Sequence, residues 1–189
     1  DIYQVVYKMD LESFEALYDN RGGKHQNKFV EWITKKDTAI LDFLLLAKTN
    51  EYIRVKRNSR WYYPSMKIGA RMTLEEIADS AISVKDSRLR DRYLLQGIRA
   101  LFSLSKYEKC VELWEKEISH WSDENLIRQL IQPYVAGAEF HIMHSEKAIE
   151  YFAQLGDIQS MLYCLGRSGD KLSIIDALEF VCEYAPNSR

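Results

Sequence analysis

Apolar positions along this chain recur at intervals of three or four rather than in alternation, which is the spacing of helices rather than strands. Residues 2–19 read as one helix carrying Val5, Val6, Met9, Phe14 and Leu17, and the paired glycines of NRGGK (20–24) stop it. A short helix is predicted from Lys28 to Lys35. Asp37 or Thr38 can cap the next, which runs to about Val55 and is apolar nearly all round at its centre, so it should be buried on several sides. Thr73 followed by Glu76 is a capping-box pattern that starts a further helix at Leu74. After a polar turn at 83–91, a helix over 91–104 puts Leu94, Leu95, Ile98, Leu101 and Phe102 on one face. With three prolines and eight glycines in 189 residues, breakers are scarce. Well over half the chain should therefore be helical, with no sheet of three or more strands.

The chain also repeats itself. EKCVELW (108–114) and EKAIEYF (146–152) match position by position, pairing Cys110 with Ala148, Val111 with Ile149 and Trp114 with Phe152. A weaker third copy, DALEFV (176–181), puts Ala177 at the small position. In the first two copies a small residue is followed four positions later by a large aromatic, and in the third Phe180 stands three positions after Ala177; each is read as a helix. The small residue lets two helix axes approach, and the aromatic fills the groove beside it. One such hairpin cannot bury its apolar face alone, so hairpins must stack. On this reading Trp114, Trp121, Phe152 and Phe180 are core residues.

SKYEKCVELWEK (105–116), with Tyr107, Cys110 and Trp114, resembles the second helix of a tetratricopeptide repeat. GRSGDKLS and YAPN, near the end, are similar to that family's interhelix turn and terminal proline. The likeness covers residues 91–189. The steps between copies are 38 and 29 residues, around the family's period of about 34, and Gly97 stands one place ahead of the family's small position. The resemblance implies an all-α fold, a tetratricopeptide-like right-handed superhelix (α-solenoid) of stacked helical hairpins. Residues 1–72 then form an N-terminal helical region with a basic-aromatic connector at 54–71. Residues 73–189 form the repeat hairpins, the whole being one array within a longer chain.

Charge changes the picture at one place only. The net charge of −2 points neither to nucleic acid nor to a membrane, and the longest apolar stretch, AILDFLLLA (39–47), is too short for a span. The first residue is Asp1, which suggests a piece of a longer or processed polypeptide and leaves the compartment open. Between Tyr52 and Leu74, however, stand six basic residues and no acid, interleaved with Trp61, Tyr62 and Tyr63. Arg57, Arg60, Trp61, Tyr62 and Lys67 are the candidate binding residues, because guanidinium groups and flat rings together hold anions and stack on planar groups. The competing reading is a joint whose rings plug between helices while its cations stay in water, and that reading is preferred.

Other chemistry is sparse. Cys110, Cys164 and Cys182 form no C-x-x-C pair and read as small apolar core residues. HIMH sets His141 and His144 one helical turn apart with Glu139 nearby, but no H-E-x-x-H pattern or third ligand accompanies them. They read as surface histidines beside a loop. NRGGK lacks the frame of a phosphate loop, and no nucleophile elbow or dinucleotide fingerprint occurs. Carboxylates sit beside lysines on helix faces, as Glu112 does with Lys116. No cofactor, metal or catalytic residue is assigned.

The expectation is a non-catalytic module that holds another protein or peptide, with nucleic acid an improbable partner. The alternatives are an anion or nucleic-acid binder acting through 54–71, and a regulatory or spacer module of a larger enzyme. The two roles of the connector separate by mutation. Trp61→Ala should lower stability by a few kcal/mol in chemical denaturation, as loss of a core aromatic does. Arg57→Ala with Arg60→Ala should leave stability nearly unchanged. A Trp61 variant as stable as the parent would refute the joint.

Overall fold

The computed structural model describes residues 2–58, 69–85, 88–167 and 182. Every element among them is helical: a π-helical turn at Gln4–Lys8, then α1 (Leu11–Asp19), α2 (Lys28–Lys35), α3 (Thr38–Arg57), α4 (Leu74–Ser83), α5 (Arg90–Ser103), α6 (Tyr107–Glu117), α7 (Leu126–His141), α8 (Ser145–Gln154) and α9 (Ile158–Arg167). The chain divides into two compact units, Asp1–Ala100 and Leu101–Arg189.

In the first unit, α1 and α2 both pack on α3. Its core comprises Val5, Leu11, Phe14, Val30, Ile33, Leu41, Leu44 and Leu45. The run Leu44, Leu45, Leu46 is buried at three successive positions, which span most of the helix circumference, so α3 is enclosed on several sides as its composition requires. The expected single helix over 2–19 is in fact two elements. Met9 is extended (ψ 124°), and Asp10 starts α1 by accepting a hydrogen bond from the Ser13 amide at 2.8 Å. A good cap in mid-segment outweighs continuity of the apolar stripe. Lys48 closes the break from α3: its Nζ donates to the Val6 and Met9 carbonyls at 3.0 and 2.7 Å, and burial pushes its pKa down.

The capping box at Thr73 and Glu76 forms as predicted. α4 then meets α5 where Ala81 faces Gly97; a methyl on Gly97 would lie 3.4 Å from the Ala81 Cβ, so the two helices approach closely here. Deeper in, the Asn50 amide donates to the Gln96 carbonyl and to its side-chain oxygen, both at 3.0 Å.

In the second unit α6 packs on α7, α7 on α8 and α8 on α9. Cys110 and Ala148, the paired small positions, are fully buried, and Trp114 and Phe152 are buried beside them. The core gathers Ala136, Ala148, Ile149, Phe152, Ala153, Met161, Cys164 and Leu165. Trp121 departs from expectation. It is half-buried, because α6 ends at Glu117 and leaves the ring on the loop beyond. Cys182 is likewise exposed, whereas Cys110 and Cys164 are buried, with the Cys110 thiol pushed up to about 12 by desolvation.

The similarity between copies extends to the turns. At the end of α5, Ser105 has φ 57°, its amide donates to the Phe102 carbonyl, and the Lys106 amide donates to Leu101. At the end of α7, Met143 has φ 68°, its amide donates to Phe140, and the His144 amide donates to Glu139. Gly156 closes α8 with the same pattern. All three are left-handed helix stops that satisfy the last carbonyls of the helix and turn the chain back. Serine and methionine rarely adopt this conformation, so the packing on both sides dictates the turn here, not the residue.

Enlarging the small position should overpack the α7–α8 contact. Ala148→Leu should lower unfolding free energy by about 1–3 kcal/mol, and Trp114→Ala by about 3–5 kcal/mol. Changes within about 0.5 kcal/mol, the range of surface substitutions, would place both side chains outside the core.

Candidate functional site

Of the candidate residues in the connector, Arg60, Trp61, Tyr62 and Lys67 lie outside the described residues, as do the third copy at 176–181, Phe180 and the YAPN segment. Arg57 is half-buried in the last turn of α3, together with Arg54 and Lys56. Cations there complement the exposed carbonyl end of the helix. Lys56 lies 5.5 Å from the Tyr52 ring centre. Arg71, at the far end of the segment, is engaged within the first unit: it pairs with Asp19 and reaches Glu15 at 3.6 Å. The guanidinium holds the Asp19 carboxyl below its usual range. Arg71 thus ties the residues just before α4 to α1.

The second unit presents a groove of about 340 Å³ that sequence patterns did not single out. Gly137, Phe140 and His141 of α7 form one wall and Tyr163 and Cys164 of α9 the other, with Phe152 of α8 between them. A chain of ring contacts runs through this wall. Phe102 meets Tyr107 and Tyr134 edge-on at 5.4 and 5.6 Å, Tyr107 stacks flat on His141 at 4.2 Å, and Phe140 meets Tyr163 at 5.8 Å. Gly137 packs closely on Phe102: a Cβ there would lie 3.1 Å from the ring, which would have to give by a few tenths of an ångström. Tyr163 is 55 % exposed, with the Arg167 guanidinium over its face at 5.3 Å. Among the described residues no carboxylate lines the groove. The nearest acid on α9, Asp157, is committed to capping the helix through the amide and hydroxyl of Ser160. Leu126 and Leu130, exposed, continue the same face of α7 towards its start.

The histidines behave differently from each other. Both are exposed, but His141 is held flat by Tyr107, whereas His144 brings its Nδ1 to 2.8 Å from Oε2 of Glu139. Glu139 is fully buried, and its other oxygen lies 3.0 Å from Lys147 Nζ, which also donates to Glu115 of α6 at 2.6 Å. Hydrogen bonding to Glu115, ahead of Glu139, drives the Lys147 pKa up. Glu115, Glu139 and Lys147 thus clasp α6, α7 and α8. In contrast, Lys116 lies 3.9 Å from Glu117 rather than pairing with Glu112. Among the described residues no three His, Cys, Asp or Glu side chains are placed to share a metal ion. No described helix is long and apolar enough to cross a membrane. The signal for the buried glutamate was present in EFHIMHSEK, where Glu139 falls on the inner face of α7 eight residues before Lys147. Only the contact across helices distinguishes it from the many solvated acids.

No protein-family model matches the chain, and neither a curated protein nor a solved structure matches it.

The clasp should respond asymmetrically. Lys147→Met leaves Glu139 buried with only His144 beside it and should cost about 3 kcal/mol. Adding Glu139→Gln to that variant should recover part of the loss in a double-mutant cycle by chemical denaturation. A double variant no more stable than Lys147→Met alone would mean that the buried charge is not what Lys147 compensates.

Proposed function

We propose that this chain is a non-catalytic helical-repeat module, a tetratricopeptide-like right-handed superhelix of stacked hairpins, that holds a peptide segment of another protein in the groove between α7 and α9. The carrying observation is the groove itself: aromatic walls beside Gly137, with the exposed Gln159 and the Tyr163 ring at its rim. Such a surface suits one large aromatic or aliphatic side chain, with a primary amide beside it for the peptide backbone. Arg167 and His141 flank the groove and no acid among the described residues lines it, so a peptide with acidic residues next to its anchor fits best. The matching turns at Ser105 and Met143, and the matching small positions at Cys110 and Ala148, support the repeat reading.

Selection of displayed peptides on the whole chain tests this directly. Enriched sequences should share an apolar anchor with an acidic neighbour. Tyr163→Ala should weaken their binding by at least about tenfold, as central interface tyrosines do, while moving the thermal midpoint little. Failure to enrich any sequence, or equal binding to the Tyr163 variant, would refute the groove as the docking site.

A further inference from the structure

The first unit contains a second cleft, of about 350 Å³, which the peptide reading leaves unused. Its walls are Val6 from the π-helical turn, Phe29 from α2, Ile40, Phe43 and Leu44 from α3, and Leu89 at the start of α5. Among the described residues its charged lining residues are Arg88 and Arg92. We propose that this cleft is a binding site for a small amphiphilic acid, whose apolar tail lies among these side chains and whose carboxylate meets the two guanidinium groups.

Four observations converge on this. First, the cleft has the size and make-up of a small-molecule site, largely apolar with a few polar groups placed to orient a ligand. Second, both polar groups carry the same sign and stand four residues apart, so they project from one side of the chain at the start of α5. Each has one carboxylate beside it, Asp37 for Arg88 and Asp91 for Arg92, and both guanidinium groups also line the cleft.

Third, Arg88 is held in place at the expense of a helix cap. Asp37 occupies the N-cap of α3 but makes no capping hydrogen bond. Its carboxylate instead accepts from both Nη atoms of Arg88, at 2.8 and 3.2 Å, and the guanidinium holds its pKa below the usual value. A guanidinium carries five donors and can serve a second carboxylate beside the first. Arg92, with its side chain half exposed, leans on Asp91 at 3.3 Å. The Arg92 contact is a loose one that a ligand carboxylate can displace.

Fourth, the wall that Val6 supplies is distorted. Gln4–Lys8 is a π-helical turn, a conformation that recurs at functional sites. Lys48 fixes it through the Val6 carbonyl, which sets the Val6 side chain in the cleft wall.

The test uses octanoate and octanol as probes, titrated calorimetrically into the whole chain, with methyl resonances of Ile40, Leu44 and Leu89 followed by NMR. Octanoate should bind and shift these methyls, and octanol should bind at least about tenfold more weakly. Arg92→Gln should weaken octanoate by about tenfold and leave octanol unchanged. Arg88→Gln should do the same, and its thermal midpoint reports whether release of Asp37 has disturbed α3. Equal affinity for acid and alcohol, unchanged octanoate binding in the Arg92 variant, absence of binding below millimolar concentration, or shifts confined to other methyls would each overturn the proposal.

Discussion

The second unit depends on how closely its helix axes can approach. Ala136, Ala148 and Ala153 are all buried where α7, α8 and α9 meet, and Cys110 plays the same part on α6. Each lacks the bulk that would hold two backbones apart, and Trp114 and Phe152 fill the space left alongside. Once the axes are that close, the connecting turns have little freedom. Ser105 and Met143 adopt left-handed conformations that their side chains disfavour, because no other stop returns the chain to the contact so quickly.

Close packing also explains where polarity is tolerated. Glu139 is fully buried among these helices and lies within 3.0 Å of both Lys147 and His144. A well-packed apolar residue there could be as stabilising. Glutamate adds direction: only one rotation of α7 brings both oxygens to their partners, so the clasp fixes how α6, α7 and α8 are turned. Asn50 and Gln96 do the same on a smaller scale for α3 and α5, and Lys48 for the break before α1. Apolar surfaces set which helices associate, and buried polar pairs set their rotation.

The two clefts have similar volumes but different chemistry. The groove of the second unit is walled by rings and an exposed amide, which matches a side chain presented by a peptide. The cleft of the first is aliphatic and phenyl-lined, with arginines at one side, which matches a small acid. Both sit on backbones that cannot readily collapse into them. Phe102 backs Gly137 in one, and the π-helical turn tied by Lys48 stands beside the other. A binding surface with a fixed floor loses little conformational freedom on occupancy.

Periodicity in the sequence alone determined the helical class, the start of α4 at its capping box, the enclosure of α3 and the burial of Cys110, Ala148, Trp114 and Phe152. These follow from local rules, because capping and apolar spacing are properties of residues a few positions apart. What the sequence left open depends on groups distant along the chain. Asp10 could break a helix only if Lys48, from α3, satisfied the carbonyls released. Asp37 reads as a cap until Arg88 takes its carboxylate. Glu139 looks like any solvated acid until Lys147 and His144 close on it, and Trp121 looks like core until the end of α6 leaves it on a loop. Both clefts belong to this second kind. A groove is the space between side chains of separate helices, so only tertiary packing can create it.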